Sequence, residues 1–242
     1  TSQGMQILSN NALAYSNMET WIPVSKNTKP MHSDNISAGY TRVSKSYAFL
    51  VESYYKFNKN QIDYIDHALL FGNPYIETQL KTGSSTAYGI ESSIQKTQGK
   101  TKGQISYTFS KVQYNIQDIT TTNIYNAPFD MPHDIKIQVN HDFNTKWNIG
   151  ALWVFASGRP TSVPIGWYSL NTGFENIHIP IYSERNSYRL PNYHRLDLSC
   201  NYTFTPKKHF DQSLSLSMYN AYGRTNPLLY NIDVSNTNIT MG

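Results

Sequence analysis

The stretch "LDLSCNYTF" (residues 196–204) alternates apolar and polar side chains without a break. One set consists of Leu196, Leu198, Cys200, Tyr202 and Phe204. The other consists of Asp197, Ser199, Asn201 and Thr203. Because successive side chains of a strand point to opposite sides, this stretch predicts a β-strand with one apolar and one polar face.

The same period of two recurs elsewhere, whereas no stretch of useful length repeats with the period of a helix. Alternation is clear in 104–111, 133–143, 147–155 and 212–218, and less regular near 36–44, 46–57 and 86–98. The sequence therefore predicts an all-β, antiparallel fold.

The composition excludes or disfavours other classes of protein. Of the 242 residues, 39% are hydrophobic, 15% are charged and 19 are tyrosines, a composition too aromatic for a disordered chain. The net charge of +4 is dispersed, so no nucleic-acid partner is expected. The first residues lack a signal-peptide pattern, and no run of 18 apolar residues predicts a membrane-spanning helix. A transmembrane β-strand needs only about 9–11 residues, so a transmembrane β-barrel stays open.

The connections between the predicted strands are of two kinds. Short turns are expected near 99–103, 144–146 and 205–211, and long loops near 17–35, 58–85, 116–132, 158–191 and 222–242. Short turns at one end and long loops at the other are typical of outer-membrane barrels. A soluble β-sandwich would also alternate. The polar faces, however, hold few charges, and aromatic residues such as Trp147 and Phe204 lie at strand ends. Both features favour the membrane barrel.

Six stretches, in order, resemble the barrel of TonB-dependent outer-membrane receptors, in particular the nutrient-uptake branch. They are "VESYYKFNKNQIDYID" (51–66), "AYGIESSIQKTQGKTKGQISYTFSK" (87–111), "MPHDIKIQVNHDF" (131–143), "WNIGALWVFASGRPTSVP" (147–164), "RNSYRLPNYHRLDLSCNYTF" (185–204) and "LSLSMYNAYGRTNP" (214–227). The resemblance implies that residues 1–242 form a C-terminal barrel segment, about eight complete strands plus partial ones of a 22-stranded barrel.

The resemblance also implies a location and a function. The protein would lie in the bacterial outer membrane and import a nutrient (a glycan, a peptide or a metal chelate) by TonB-coupled displacement of a plug. The expected partners are membrane lipid, TonB through a part of the protein outside this chain, and a surface lipoprotein. A passive porin-like barrel and a surface enzyme on a barrel scaffold are the alternatives.

Two groups of residues are candidates for contact with a transported molecule. If strand parity is kept, Lys136, Gln138, Asn140, Arg195 and Asp197 line the lumen, with Arg195 and Asp197 close enough to pair. The 158–191 loop carries aromatic and imidazole side chains that could stack on a substrate or pack against neighbouring loops or a partner. These are Trp167, Tyr168, Phe174, His178 and Tyr182. The carboxylates Asp63, Asp66 and Glu77 of the 58–85 loop could line the same mouth, but they are interpreted as solvated loop residues.

No catalytic or metal site is predicted. No two of the seven histidines have the i, i+2 spacing that would place a metal-binding pair on one strand face, and one cysteine cannot form a disulfide framework. A serine-nucleophile motif is also missing. His133 and His194 would be the test positions for an enzyme, although parity directs His194 to the apolar face. We therefore expect no cofactor and no enzymatic activity.

Overall fold

The fold is given by a computed structural model of the chain. The structure describes residues 1–9, 19–66, 68–69, 72–171, 176–205, 210–226, 230–233 and 238–241. For residues 9, 176–178, 230–233 and 238–241 it describes the backbone alone.

Strands account for most of the structure. In chain order they are β1 (Ser2–Gln3), β2 (Met5–Ser9), β3 (Glu19–Pro23), β4 (Met31–Val43), β5 (Tyr47–Tyr64), β6 (Leu80–Lys96), β7 (Thr101–Asn115), β8 (Ile124–Asn126), β9 (His133–Asp142), β10 (Trp147–Ala156), β11 (Pro160–Thr161), β12 (Pro164–Asn171), β13 (Asn176–Tyr182), β14 (Tyr188–Arg189), β15 (Tyr193–Thr203), β16 (Ser213–Met218), β17 (Tyr230–Asp233) and β18 (Asn238–Met241). One 3-10 turn spans Ile76–Gln79. Within the described ranges, no helix is long and apolar enough to cross a membrane.

Ten of the strands form a single antiparallel sheet. Its order is β1-β4-β5-β6-β7-β9-β10-β15-β16, with β8 added beside β7. Eight long strands, β4, β5, β6, β7, β9, β10, β15 and β16, make up its continuous part, and each corresponds to one of the alternating stretches. The all-β prediction is therefore confirmed. Over the residues described, the sheet stays open, with β1 and β16 at its edges.

The alternation of the sequence gives the sheet two different faces. In the register of β5, β6 and β7, Phe49 pairs with Ile94 and Ile94 with Ile105, and all three side chains are exposed on the apolar face. The neighbouring row of paired residues, Leu50, Ser93 and Ser106, points to the opposite, polar face. Small polar residues are common on this face, because successive side chains of a strand point to opposite sides and the polar ones alternate with the apolar ones.

The two ends of the sheet also differ. At the turn end, short connections such as 44–46 and 97–100 join neighbouring strands. At the loop end, the long connections fold back and contain the buried side chains. One apolar cluster there consists of Tyr114, Ile116, Ile119, Tyr125 and Ala127, and a second of Leu8, Ile22 and Ile62. The packed core therefore lies under the loops and not between two sheets.

The strands run further into the loop end than the alternation predicts. The expected 58–85 loop is shortened at both ends, because β5 continues to Tyr64 and β6 begins at Leu80, which leaves 65–79 as the connection. Gln61, Ile62 and Asp63 are all buried. Since both faces of β5 are covered at this point, the period of two disappears from the sequence.

The other predicted loops contain short strand pairs. The 158–191 stretch includes the β12–β13 ribbon and the β11–β14 pair, and the 222–242 stretch includes β17 and β18. The 17–35 stretch contains β3 and the beginning of β4, and β7 already begins within the expected 99–103 turn. Residues 206–209 of the expected 205–211 turn lie outside the described residues.

Candidate functional site

The polar face of β9, β10 and β15 brings five of the predicted residues together. The side chains of Lys136, Gln138 and Asn140 alternate along β9. Across β10, Val154 pairs with Lys136 and Arg195, and Leu152 with Gln138 and Asp197. One face therefore carries Lys136, Gln138, Asn140, Arg195 and Asp197. The apolar side chains of Leu152 and Val154 on β10 lie between the residues of β9 and those of β15. That this face lines a lumen remains a prediction.

Arg195 is held by several polar partners on this face. Its Nε donates to Asp197 Oδ2 at 3.0 Å, and its Nη1 donates to the hydroxyls of Tyr193 and Tyr219. The guanidinium also lies 4.1 Å from the centre of the Tyr219 ring. The other carboxylate oxygen of Asp197 accepts the backbone N–H of Asn220 at 3.0 Å. With these contacts, the Arg195–Asp197 pair fixes the chain that follows β16 against β15.

A polar notch lies beside this pair, at Gly150. A cavity of about 260 Å³ is lined there by residues that include Asn140, Ser199 and Ser217. A Cβ atom at Gly150 would lie 2.5 Å from Ser199 Oγ and 2.8 Å from Asn140 Oδ1. The missing side chain thus lets an amide and a hydroxyl approach each other across β10, and both can hydrogen-bond a polar ligand.

The β12–β13 ribbon carries three of the predicted loop aromatics, Trp167, Tyr168 and Tyr182. Tyr168 is 52% exposed and Tyr182 is 40% exposed, whereas Trp167 is half-buried. His178 pairs with Ser169 in the backbone ladder of the ribbon, but its side chain is outside the described part. Phe174 lies outside the described residues altogether. The ribbon therefore presents at least two tyrosines for contact, and their role remains a prediction.

An ion-pair cluster that the sequence did not reveal connects this loop to β5. The Arg185 guanidinium lies 3.3 Å from Asp63 and 2.6 Å from Asp66, and it stacks 4.2 Å from the centre of the Tyr64 ring. The Tyr125 hydroxyl donates to Asp63 Oδ2 at 2.6 Å. Asp63 is therefore a buried structural carboxylate, and its interpretation as a solvated loop residue is wrong. Asp66 is exposed but paired.

The electrostatics of this cluster follow from its burial. Asp63 and Tyr64 lie at the loop end of β5, beyond the alternating apolar side chains that end at Phe57. Burial raises the pKa of the Asp63 carboxyl, although the Arg185 charge and the Tyr125 hydroxyl act in the opposite direction. Burial also raises the pKa of Tyr64 to about 12, against the lowering effect of Arg185. The cluster therefore depends on Arg185 to keep a charged Asp63 in a dry environment.

A second buried ion pair attaches the same loop to the 116–132 segment. The Asp130 side chain is fully buried and lies against the Arg189 guanidinium and, at 3.3 Å, the Lys111 ammonium. Its Oδ1 accepts the backbone N–H of Val112 at 2.7 Å. The carboxylate thus joins β7, β14 and the end of the 116–132 segment.

Two asparagines add a reciprocal contact between these loops. Asn126 Nδ2 donates to the Asn186 carbonyl at 3.2 Å, and Asn186 Nδ2 donates to the Asn126 carbonyl at 2.8 Å. Asn186 has a positive φ of 54°, a backbone conformation that asparagine tolerates better than most residues. Together with the two ion pairs, this contact holds the base of the β12–β13 ribbon in a fixed position.

The two test positions for catalysis lie on the apolar face. His133 Nδ1 is 3.0 Å from the Tyr107 hydroxyl, and His194 Nδ1 is 2.7 Å from the Tyr222 hydroxyl. Each imidazole thus has a tyrosine partner and stands apart from the carboxylates of the polar face. Over the described ranges, no three His, Cys, Asp or Glu side chains are grouped so as to hold a metal ion.

Comparison with known proteins places the fold. No family model and no curated protein matches the sequence. Solved structures do match: the ferripyoverdine receptor of the outer membrane of Pseudomonas aeruginosa at 16% identity and a TM-score of 0.55, over 89% of this chain and 26% of the receptor. The outer membrane transporter YddB from Escherichia coli matches at 10% identity and 0.55, over 85% and 30%. The FrpB iron transporter from Neisseria meningitidis matches at 11% and 0.53, over 83% and 28%.

These matches agree with the class of fold that the sheet itself indicates. The sheet, with its apolar outer face and its division into a turn end and a loop end, has the architecture of an outer-membrane β-barrel. More particularly, the fold is that of the β-barrel of TonB-dependent receptors. The chain spans about a quarter to a third of the length of the solved receptors it matches.

Proposed function

We propose that the chain is a wall segment of an outer-membrane active-transport receptor, which imports a nutrient by TonB-coupled displacement of a plug. The observation that carries this proposal is the sheet of eight long antiparallel strands, exposed on its apolar face and matched in fold to outer-membrane transporters. In this proposal the chain supplies barrel wall and outer loops. TonB would be contacted by a part of the protein outside these 242 residues.

The apolar face supports a location in the outer membrane. Aromatic residues border it at the turn end, where the Trp147 and Tyr202 rings lie 4.7 Å apart and the Tyr202 and Phe204 rings 4.9 Å apart. Tyr107 and Tyr222 lie toward the loop end, where they contact His133 and His194. From Trp147 to Phe155 the strand rises by about 26 Å. Tilted by about 40°, this strand spans roughly 20 Å of the apolar band, which is about 25 Å tall in outer-membrane barrels and is flanked by aromatic girdles.

The polar face and the loops support transport and give the substrate a route. The predicted residues Lys136, Gln138, Asn140, Arg195 and Asp197 would line the lumen, and Tyr168 and Tyr182 would face the outside at its mouth. Two of the matched structures are named as an iron transporter and a ferripyoverdine receptor. A metal chelate is therefore one proposed substrate, beside a glycan or a peptide. A surface lipoprotein that covers the loops is a further proposed partner.

The experiment is an uptake assay with the full-length protein in a bacterial outer membrane. Labelled ferric chelates, oligosaccharides and peptides are offered with and without a protonophore, and in cells that lack TonB. We expect one class to accumulate only when both TonB and the proton-motive force are present. Accumulation that needs neither, with conductance in planar bilayers, would instead identify a passive porin.

A further inference from the structure

Two adjoining cavities open on the polar face near the loop end of β4 and β5. Their volumes are about 230 Å³ and 380 Å³, and both are lined by Gln3, Met31, Lys56 and Asn58. We name the pair the Lys56 groove. Further polar lining comes from Gln6, Gln61, Ser85, Ser33 and Asn35.

A hydrogen-bond network fixes the deep side of the groove. Asn58 Nδ2 donates to Ser85 Oγ at 2.8 Å, and Ser85 Oγ donates to Gln61 Oε1 at 3.1 Å. Gln6 holds the first strands against β5, since its Oε1 accepts the Ile62 N–H at 3.1 Å. All four side chains in this network are buried. The groove is therefore pre-formed, so its own side chains lose little conformational entropy when a ligand binds.

One acceptor in this wall is unsatisfied. Asn58 is only 9% exposed, yet its Oδ1 has no hydrogen-bond partner in the part of the chain that the structure describes. A buried acceptor in this condition costs roughly 1–3 kcal/mol. A donor group that enters the groove and reaches Asn58 after a small side-chain rotation would recover part of this energy.

Among the described residues, Lys56 is the only charged side chain that lines the two cavities. Its cross-strand neighbours, Asn35 and Ala87, are neutral, and no carboxylate of the described residues lies within 4.0 Å of its ammonium. Glu52, on the same face, is four residues away along β5, or about 13 Å. The groove thus combines one exposed, unpaired cation with amides and hydroxyls on one part of its wall and apolar side chains such as Ile7, Val112 and Phe129 on another.

We propose that the Lys56 groove binds a small hydroxyl-rich carboxylate, such as a hexuronate. The carboxylate would pair with Lys56 while the ligand hydroxyls bond the amides, and Phe129, 49% exposed at the edge, offers an apolar surface to a sugar ring. A single ammonium carries one positive charge, so it balances a monocarboxylate but leaves a phosphate dianion with an uncompensated charge. This inference rests on the proposed function and names a substrate class for it.

The test is ligand-observed NMR on the full-length protein in detergent micelles. The probes are D-galacturonate, its uncharged methyl ester and glucose 1-phosphate. We expect galacturonate to bind about tenfold more tightly than the ester, with an affinity that falls as salt is added. Tighter binding of glucose 1-phosphate would overturn the carboxylate assignment.

A matched pair of variants locates the site. Lys56→Met removes the groove cation, whereas Lys59→Met removes an exposed cation from the opposite face of the same strand. Galacturonate affinity should fall about tenfold in Lys56→Met and stay unchanged in Lys59→Met. Equal affinity in both variants, or no binding of any probe because another part of the protein fills the groove, overturns the proposal. Binding without TonB-dependent uptake would refute the transport function and leave the groove assignment in place.

Discussion

The turn-end half of the sheet and its loop end differ in how far their side chains are exposed. Near the turn end, Phe49, Ile94 and Ile105 are each at least 40% exposed. At the loop end, Ile62 is 1% exposed and Asp130 is fully buried. The same strands, β5 to β7, run through both regions. The difference therefore arises from what covers the strands and not from the strands themselves.

This contrast separates two sources of stability. The loop end is stabilised by its own apolar clusters and ion pairs, as in a soluble protein. The wall shows its apolar side chains to the surroundings, which in the proposed function are lipid. Substitutions at the loop end should therefore change the stability of the chain strongly, and substitutions in the wall should change it weakly.

The largest effect is expected from Asp130→Asn. It would leave the partly buried Arg189 and Lys111 without their carboxylate, and breaking a buried ion pair costs roughly 3–5 kcal/mol. The measurement is the free energy of unfolding in denaturant. The matched control is Asp118→Asn, because Asp118 is 76% exposed beside Lys81 and asparagine tolerates its positive φ of 60°. The control should lose less than about 1 kcal/mol, and equal losses would contradict a difference between the buried and the exposed pair.

Arg185→Met should have the next largest effect, roughly 2–3 kcal/mol at neutral pH. It removes the cation beside Asp63, but the buried carboxyl, whose pKa burial already raises, can take up a proton. Since the folded pKa is then further above the unfolded one, the fold binds more protons than the unfolded chain. Stability is thus retained in acid and lost as pH rises, so the deficit against wild type should shrink below neutral pH.

Limited proteolysis of the 164–182 ribbon gives a second measurement for the same variant. Arg185 holds the base of the ribbon, so cleavage there should be faster in Arg185→Met. The exposed Arg42, on β4 near the turn end, provides the control Arg42→Met, which should be cut at the wild-type rate. Unchanged cleavage in both would mean that Arg185 does not position the ribbon.

The strands could be predicted from the sequence, but the long-range ion pairs that hold the loops in place could not. Alternation is a local signal, and it located all eight long strands and placed Arg195 beside Asp197 on one face. The ion pair of Asp66 with Arg185 joins residues 119 positions apart. No local pattern marks such a contact. Asp63 was misinterpreted because burial, and not sequence neighbourhood, decides whether a carboxylate is solvated.

A smaller effect is expected in alkali, at Tyr64. Burial raises its pKa to about 12, so the folded chain keeps a proton that the unfolded chain loses near pH 10. This contribution is complete below pH 10 and is lost as pH rises through 12, by up to about 1.4 kcal/mol per pH unit. In thermal unfolding between pH 9 and 12, Tyr64→Phe should therefore lose less stability than wild type. The control Tyr75→Phe changes a residue that is 73% exposed and should follow wild type. If Tyr64→Phe also followed wild type, the raised pKa of Tyr64 would not contribute to stability.

The smallest expected effect lies in the wall and has the opposite sign. Glu52 and Glu91 are cross-strand partners on the polar face, and like charges directly opposite each other are unfavourable. Glu91→Gln and Glu52→Gln should each raise the free energy of unfolding by about 0.2–1 kcal/mol, and the double variant by less than the sum. Denaturant unfolding of the four proteins gives the coupling. Additive gains would mean that the carboxylates do not interact, whereas losses would mean that other groups pair with them.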